Sequence, residues 1–249
     1  MIILKTPDEI ETMVKASKLV AETLQALKRE VRPGVSTDDL DRLAEELIRS
    51  RGGIPAFKGY RSYPKTLCAS INEQVVHGIP SKRVLKEGDI IGLDLVAIVD
   101  VFYGDSAVTV PVGAIHPRVQ ELVRVTEEAL YKGIEQAVVG NRLSDISHAV
   151  QKHAEAAGFS VVTDFVGHGI GRQLHEDPQV PNYGRPGQGP RLQVGMVLAI
   201  EPMVNMGKSG VQILDDQWTA VTQDGSLSAH FEHTIAIQPS GPARILTKL

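Results

Sequence analysis

Residues 88–113 read GDIIGLDLVAIVDVFYGDSAVTVPVG. Two apolar, β-branched runs flank Asp100, so the stretch predicts two long strands joined in a hairpin near that residue. IIGLDLVAIV is apolar enough to be a central strand buried on both faces, yet Asp94 sits in its middle. Asp105 stands at the start of the second strand. An unpaired carboxylate in such a place is very costly, so each acid needs a cation or a dense set of hydrogen bonds.

The stretch has an echo further along. LKEGDIIGLD (85–94) aligns with LQVGMVLAIE (192–201), so a carboxylate, Asp94 or Glu201, follows a glycine by six residues in both. His77-Gly-Ile-Pro is matched by His168-Gly-Ile-Gly, and Asp105-Ser-Ala-Val-Thr-Val by Glu232-His-Thr-Ile-Ala-Ile. The flanking elements repeat as well. Thr6-Pro7-Asp8-Glu9 is a capping box opening a helix whose apolar positions, Ile10 to Leu27, run on until Pro33-Gly34. Ser36 opens a second helix, closed by Gly52-Gly53, and residues 54–66 read as loop. A third helix starts at Pro117, and Ser144 is expected to open a fourth that ends at Gly158. Further strands are predicted at 67–72, 159–164, 196–204, 211–221 and 230–238.

This order predicts one α+β catalytic domain spanning residues 1–249, built of two related halves at about 5–112 and 113–240. A chain duplicated in this way carries an approximate twofold axis and one composite site on it. The length allows a substantial core, with 42% hydrophobic residues. A net charge of −4 without basic or acidic blocks leaves no footprint for nucleic acid or membrane. The amino terminus lacks the pattern of a secretory signal, and the lone Cys68 closes no internal disulfide; a cytoplasmic address is the expectation.

The repeat lets Asp94, Asp105, Glu201 and Glu232 converge on one cavity. Four acids in contact repel one another unless metal ions neutralise them. His168 adds an imidazole, and a mostly oxygen set with one nitrogen suits a pair of divalent ions such as Mn, Fe, Co, Ni or Zn rather than a closed structural zinc site. Within DFVGHGIGRQLHEDPQV (164–180), His168 and His175 lie seven apart among glycines, which excludes the histidine pair of a zinc-protease helix. The glycines beside His168 are expected to serve a tight turn.

NEQVVHGIP (72–80), DIIGLDLVAIVDVFYGDSAVTV (89–110), GHGIGRQLHEDPQV (167–180), IEPMVN (200–205) and SLSAHFEHTIAI (226–237) together resemble the type I methionine aminopeptidases, the pita-bread metallopeptidases. The resemblance runs from about residue 5 to 240. It implies the pita-bread fold, with Asp94, Asp105, His168, Glu201 and Glu232 as ligands of two divalent ions and Asp105 and Glu232 as the bridges. His77 and His175 would lie beside the substrate, and Glu201 would shuttle the proton of the attacking water. Phe57, Tyr60, Tyr63, Cys68, Leu174 and Trp218 would line an apolar pocket for the methionine side chain. Phe57 and Leu174 stand where cysteine and phenylalanine are frequent in bacterial members.

The implied substrates are nascent polypeptide amino termini with a small second residue. A monomer is expected, and contact with the ribosome is a family-level expectation. The rival readings are a proline-specific peptidase on the same scaffold, a non-catalytic binding module and a structural zinc protein.

Overall fold

A computed structural model describes residues 1–249. Helix α1 (Pro7–Glu30) begins where the sequence places it. The Thr6 hydroxyl accepts from the Glu9 amide at 3.3 Å, while the Glu9 carboxylate accepts from the Thr6 amide at 2.9 Å. Helix α2 (Thr37–Ser50) follows, capped by Ser36. Then come β1 (Ile54–Pro55), a 3-10 turn at Tyr60–Ser62, β2 (Leu67–Ile71), β3 (Gln74–Val76), and the long hairpin β4 (Ile90–Val99) and β5 (Phe102–Pro111). The second half holds α3 (Pro117–Glu135), α4 (Leu143–Ala156), β6 (Ser160–Val161), β7 (Gly167–Gly169), β8 (Glu176–Val180), β9 (Val197–Ile200) and β10 (Met203–Asn205). It closes with β11 (Val211–Ile213), β12 (Ala220–Thr222), β13 (Ser228–His230), β14 (Glu232–Ala236) and β15 (Arg244–Ile245).

The main sheet runs β1-β4-β5-β14-β9-β7-β8, with β2 added on β4 and β15 on β14, and its pairs are antiparallel. Side chains alternate across it. Leu93 and Leu95 pack with Leu19, Leu24, Leu40 and Ile48 of α1 and α2. Leu198, Ile200 and Ile235 pack with Leu130, Ile134 and Ile146 of α3 and α4. The helices therefore cover one face of the sheet, and each of these buried aliphatic side chains contributes roughly 1.5–3 kcal/mol. Helix α1 lies very close to β5 at Gly104, where a Cβ would stand 2.5 Å from the Ser17 amide nitrogen. Two small three-stranded sheets, β13-β10-β6 and β11-β12-β3, complete the fold.

Several elements depart from the sequence expectation. The cap expected at Ser144 lies two residues earlier, at Arg142, whose amide donates to the Asp145 carboxylate at 2.7 Å, so α4 starts at Leu143. The Ser144 hydroxyl instead accepts from the Gln188 amide at 2.6 Å and donates to its carbonyl at 2.9 Å, tying down a distant loop. The strand expected at 196–204 breaks at Glu201-Pro202, since proline cannot donate to a ladder, and β10 joins a different sheet. The strand expected at 211–221 is split by a turn in which the Asp216 carboxylate accepts from the Trp218 and Thr219 amides at 2.9 and 2.8 Å.

Gly167 and Gly169 serve strand pairing instead of a turn, while Gly171 lies in the bend that follows β7. None of Gly167, Gly169 and Gly171 adopts positive φ. A Cβ on Gly167 would lie 2.4 Å from the Ala199 carbonyl oxygen, and one on Gly169 2.1 Å from that of Asp177. Only glycine admits both neighbouring strands to this distance.

Candidate metal centre

Strand register assembles the acids on the face opposite the helices. Ala107 of β5 is the register partner of both Asp94 on β4 and Glu232 on β14, so those two side chains flank it. Asp105 is two residues from Ala107 and shares its face. Glu201 directly follows β9, and His168 on β7 pairs with Ala199 of that strand. The five residues named from the sequence all line one cavity of about 760 Å³.

Possible ligand atoms of Asp105, His168 and Glu232 lie within 4.8 Å of one another. His168 Nε2 is 3.5 Å from Glu201 Oε1 and 3.7 Å from Asp105 Oδ2. Its Nδ1 lies 3.0 Å from the Gly169 carbonyl, which only an N–H can approach as a donor. That bond leaves the Nε2 lone pair facing the acids, the tautomer a metal ligand requires.

One oxygen each of Asp94, Asp105 and Glu232 is buried with no hydrogen-bond partner. Burial, then the neighbouring Asp105 and Glu201 respectively, pushes Asp94 and Asp105 well above the usual carboxylate range. Glu232 is raised in the same way by burial and Asp105, and burial lifts Glu201 to about 8. Orphaned oxygens converging with a correctly oriented imidazole are what divalent cations satisfy. The residues present therefore fit a metal centre.

The imidazoles around it are held neutral. Burial lowers His168 and His77 to about 4, the neighbouring histidines adding to the effect. His175 is lowered by burial and then by the Arg61 charge. Its Nδ1 is 2.8 Å from the Tyr60 hydroxyl, and its ring lies 4.4 Å from that of His168, centre to centre. His77 is fixed by its backbone, with φ 59°, a strained value for a residue other than glycine. Its ring meets Phe165 and Trp218 edge to face at 5.5 and 6.0 Å.

Phe57, Tyr60, Tyr63, Cys68 and Trp218 line the same cavity. Tyr63 packs edge-on against Phe57 and Trp218, with ring centres 5.9 and 5.0 Å away. Leu174 does not line it; the side chain is buried with Ile10, Phe102 and Ile170, behind Phe57 and Tyr60. Phe165 also lines the cavity, and His230 approaches it from β13. His230 is 4% exposed and its Nε2 is 3.6 Å from Glu201 Oε2. Its one signal in the sequence is its place two residues before Glu232. The polar rim of the cavity includes Gln173, Glu176 and Asp177.

A family model for metallopeptidase family M24 matches residues 11–239. The chain belongs to this family. It is 57% identical to the methionine aminopeptidase of Clostridium perfringens over 99% of each chain. It is 55% identical to methionine aminopeptidase 1 of Bacillus subtilis over 97% of each. The crystal structure of the Thermotoga maritima methionine aminopeptidase superposes with a TM-score of 0.98 at 52% identity, covering 100% of both chains. The prolidase of Pyrococcus horikoshii shares the fold, with a TM-score of 0.80 at 22% identity over 99% of this chain and 63% of that one. The architecture is thus the pita-bread fold of the M24 peptidases, and this member is a metal-dependent hydrolase.

Proposed function

We propose that this chain is a methionine aminopeptidase, which hydrolyses the first peptide bond of polypeptides that begin with methionine followed by a small residue. The observation that carries the reading is the buried group of Asp94, Asp105, His168, Glu201 and Glu232 on the floor of a cavity walled by aromatic side chains. Sequence identity to methionine aminopeptidases over nearly the whole chain supports the same substrate.

Those five residues would hold two divalent ions. The chemistry such ions would supply there is Lewis-acid charge for hydrolysis. Glu201 takes the proton of the attacking water and passes it to the leaving amine. With the Tyr60 hydroxyl donating to His175 Nδ1, the ring proton sits on Nε2 and is donated to the carbonyl oxygen as negative charge develops. His77, held against Phe165 and Trp218, contacts the amide at the cleaved bond. Phe57, Tyr60, Tyr63, Cys68 and Trp218 receive the apolar methionine side chain, with Leu174 supporting Phe57 and Tyr60 from behind. The acidic floor suits a free amine, which confines cutting to chain ends.

The cellular substrates are nascent chains, met in the cytoplasm by a monomer and at the ribosome. No helix is long and apolar enough to cross a membrane. The two halves of the chain are read as one duplicated unit about the sheet centre, where β5 meets β14. The test is release of methionine from Met-Ala-Ser peptide by purified protein. Cleavage abolished by EDTA and restored by Mn²⁺ or Co²⁺ is expected. Cleavage of Xaa-Pro dipeptides with no methionine released would overturn the reading in favour of a proline-specific peptidase.

A further inference from the structure

Both carboxylate oxygens of Glu201 face imidazole nitrogens. Oε1 lies 3.5 Å from His168 Nε2 and Oε2 lies 3.6 Å from His230 Nε2. The two contacts differ in kind. His168 uses its N–H at Nδ1 on the Gly169 carbonyl, so its Nε2 carries a lone pair and has nothing to donate. His230 Nε2 is buried without a hydrogen-bond partner. A buried nitrogen left unpaired is costly, and a carboxylate oxygen is the acceptor in front of it.

The fold holds His230 rigidly. Its amide donates to the Thr109 hydroxyl at 2.9 Å, and that hydroxyl donates back to the His230 carbonyl at 2.8 Å. Its register partner is Met203, two residues beyond Glu201, so β13 fixes the spacing between the ring and the carboxylate. At 3.6 Å the pair is just outside hydrogen-bond range, but the last torsion of a glutamate is soft and a small rotation closes such a gap.

We propose that His230 is a positioning residue for Glu201, donating its Nε2–H to Glu201 Oε2 and thereby holding the other oxygen towards His168 and the ligand cluster. The inference rests on Glu201 being the proton carrier of the proposed reaction. A carboxylate that swings freely visits orientations in which it cannot exchange a proton with the attacking water, so the donor raises turnover without contributing to substrate affinity.

The test pairs His230→Gln, which keeps an N–H donor, with His230→Met, which fills similar volume without one. In the metal-loaded full chain, His230→Met is expected to lower kcat on Met-Ala-Ser roughly 10–100-fold with KM unchanged, and His230→Gln to recover most of that loss. Calorimetric titration of Mn²⁺ into the metal-free variants is expected to give the wild-type stoichiometry. A lost binding equivalent in His230→Met would make His230 a ligand and overturn the proposal, as would kcat equal to wild type in that variant. Should His230→Met not fold, the ¹⁵N shifts of the unaltered, zinc-loaded protein decide: an Nε2–H tautomer is expected for His230, and an Nδ1–H tautomer overturns the assignment. Glu201→Gln separates the two readings. Undiminished kcat there would remove Glu201 as proton carrier, whereas an inactive Glu201→Gln beside a fully active His230→Met would sink only the role of His230.

Discussion

At the scale of single residues, the site is built from side chains whose second contacts set their chemistry. His168 faces the acids with a lone pair only because the Gly169 carbonyl takes its other nitrogen's proton. In the proposed reaction His175 takes the opposite tautomer, its Nδ1 accepting from the Tyr60 hydroxyl 2.8 Å away and its proton left on Nε2. Removing the imidazole in His175→Ala is expected to lower kcat about 10²–10³-fold, the usual cost of one oxyanion donor, while the melting temperature changes little. Tyr60→Phe keeps the ring and loses the hydroxyl, so kcat is expected to fall by a smaller factor, roughly tenfold, with steady-state kinetics checking both. Asp94, Asp105, His168, Glu201, Glu232, His77 and His175 could all be named from motifs, because each stands in a short, distinctive neighbourhood. Leu174 could not be placed, because its neighbours Ile10 and Phe102 come from other elements.

At the scale of elements, two close approaches hold the site's scaffold. Gly104 lets α1 lie against β5, and Gly104→Ala would put a methyl 2.5 Å from the Ser17 nitrogen and 2.6 Å from the Ala16 carbonyl carbon. Backbone on both sides cannot yield cheaply, so a stability loss of about 3 kcal/mol is expected in urea unfolding, the upper range of overpacking. The second is the segment carrying His175. The Glu176 carboxylate accepts from the Arg172 and Gln173 amides at 2.9 and 3.2 Å and pairs with Lys5, both side chains being 4% exposed. Lys5→Met leaves that carboxylate buried without its cation. A loss of about 3 kcal/mol is expected, the low end for breaking a buried pair since two amide donors remain, together with a raised KM as the loop loosens.

At the scale of the whole molecule, the acids arrive from both halves, and their joint charge makes stability depend on metal and pH together. Glu201 has its folded pKa raised by burial to about 8 from an ordinary value of 4.5, and Asp94, Asp105 and Glu232 are raised too. A raised group contributes stability that is complete below its unfolded pKa and is lost as pH climbs through the folded one. His77 and His168 act oppositely: lowered from 6.5 to about 4, they contribute above 6.5 and lose that contribution as pH falls towards 4. Between about pH 6.5 and 8 the histidine contribution is flat and only the acids change. Chelated protein is therefore expected to lose roughly 1.5 kcal/mol across that window for Glu201 alone. Saturating Mn²⁺ should abolish the loss, so the metal-induced rise in melting temperature is larger at pH 8 than at pH 6.5. Calorimetric scans with and without EDTA check both.

The amino-acid order alone pointed to the caps of α1 and α2, the acid-bearing hairpin, the repeated motifs and the acids and histidine that gather in one cavity. Each depends on interactions within a few positions: a cap three residues away, an alternation of period two, a glycine before a strand. Long-range packing decided the remainder. Whether Gly167 and Gly169 bend the chain or admit neighbouring strands depends on β8 and β9. That Pro202 divides one expected strand between two sheets, that Leu174 backs the pocket, and that Lys5 meets Glu176 across 171 positions are outcomes of register and burial. The same holds for His230, whose ring meets Glu201 only because β13 pairs with β10 beyond the break. Local preferences act through the backbone of a few neighbours, whereas burial is settled only when every layer of the fold competes for the same space.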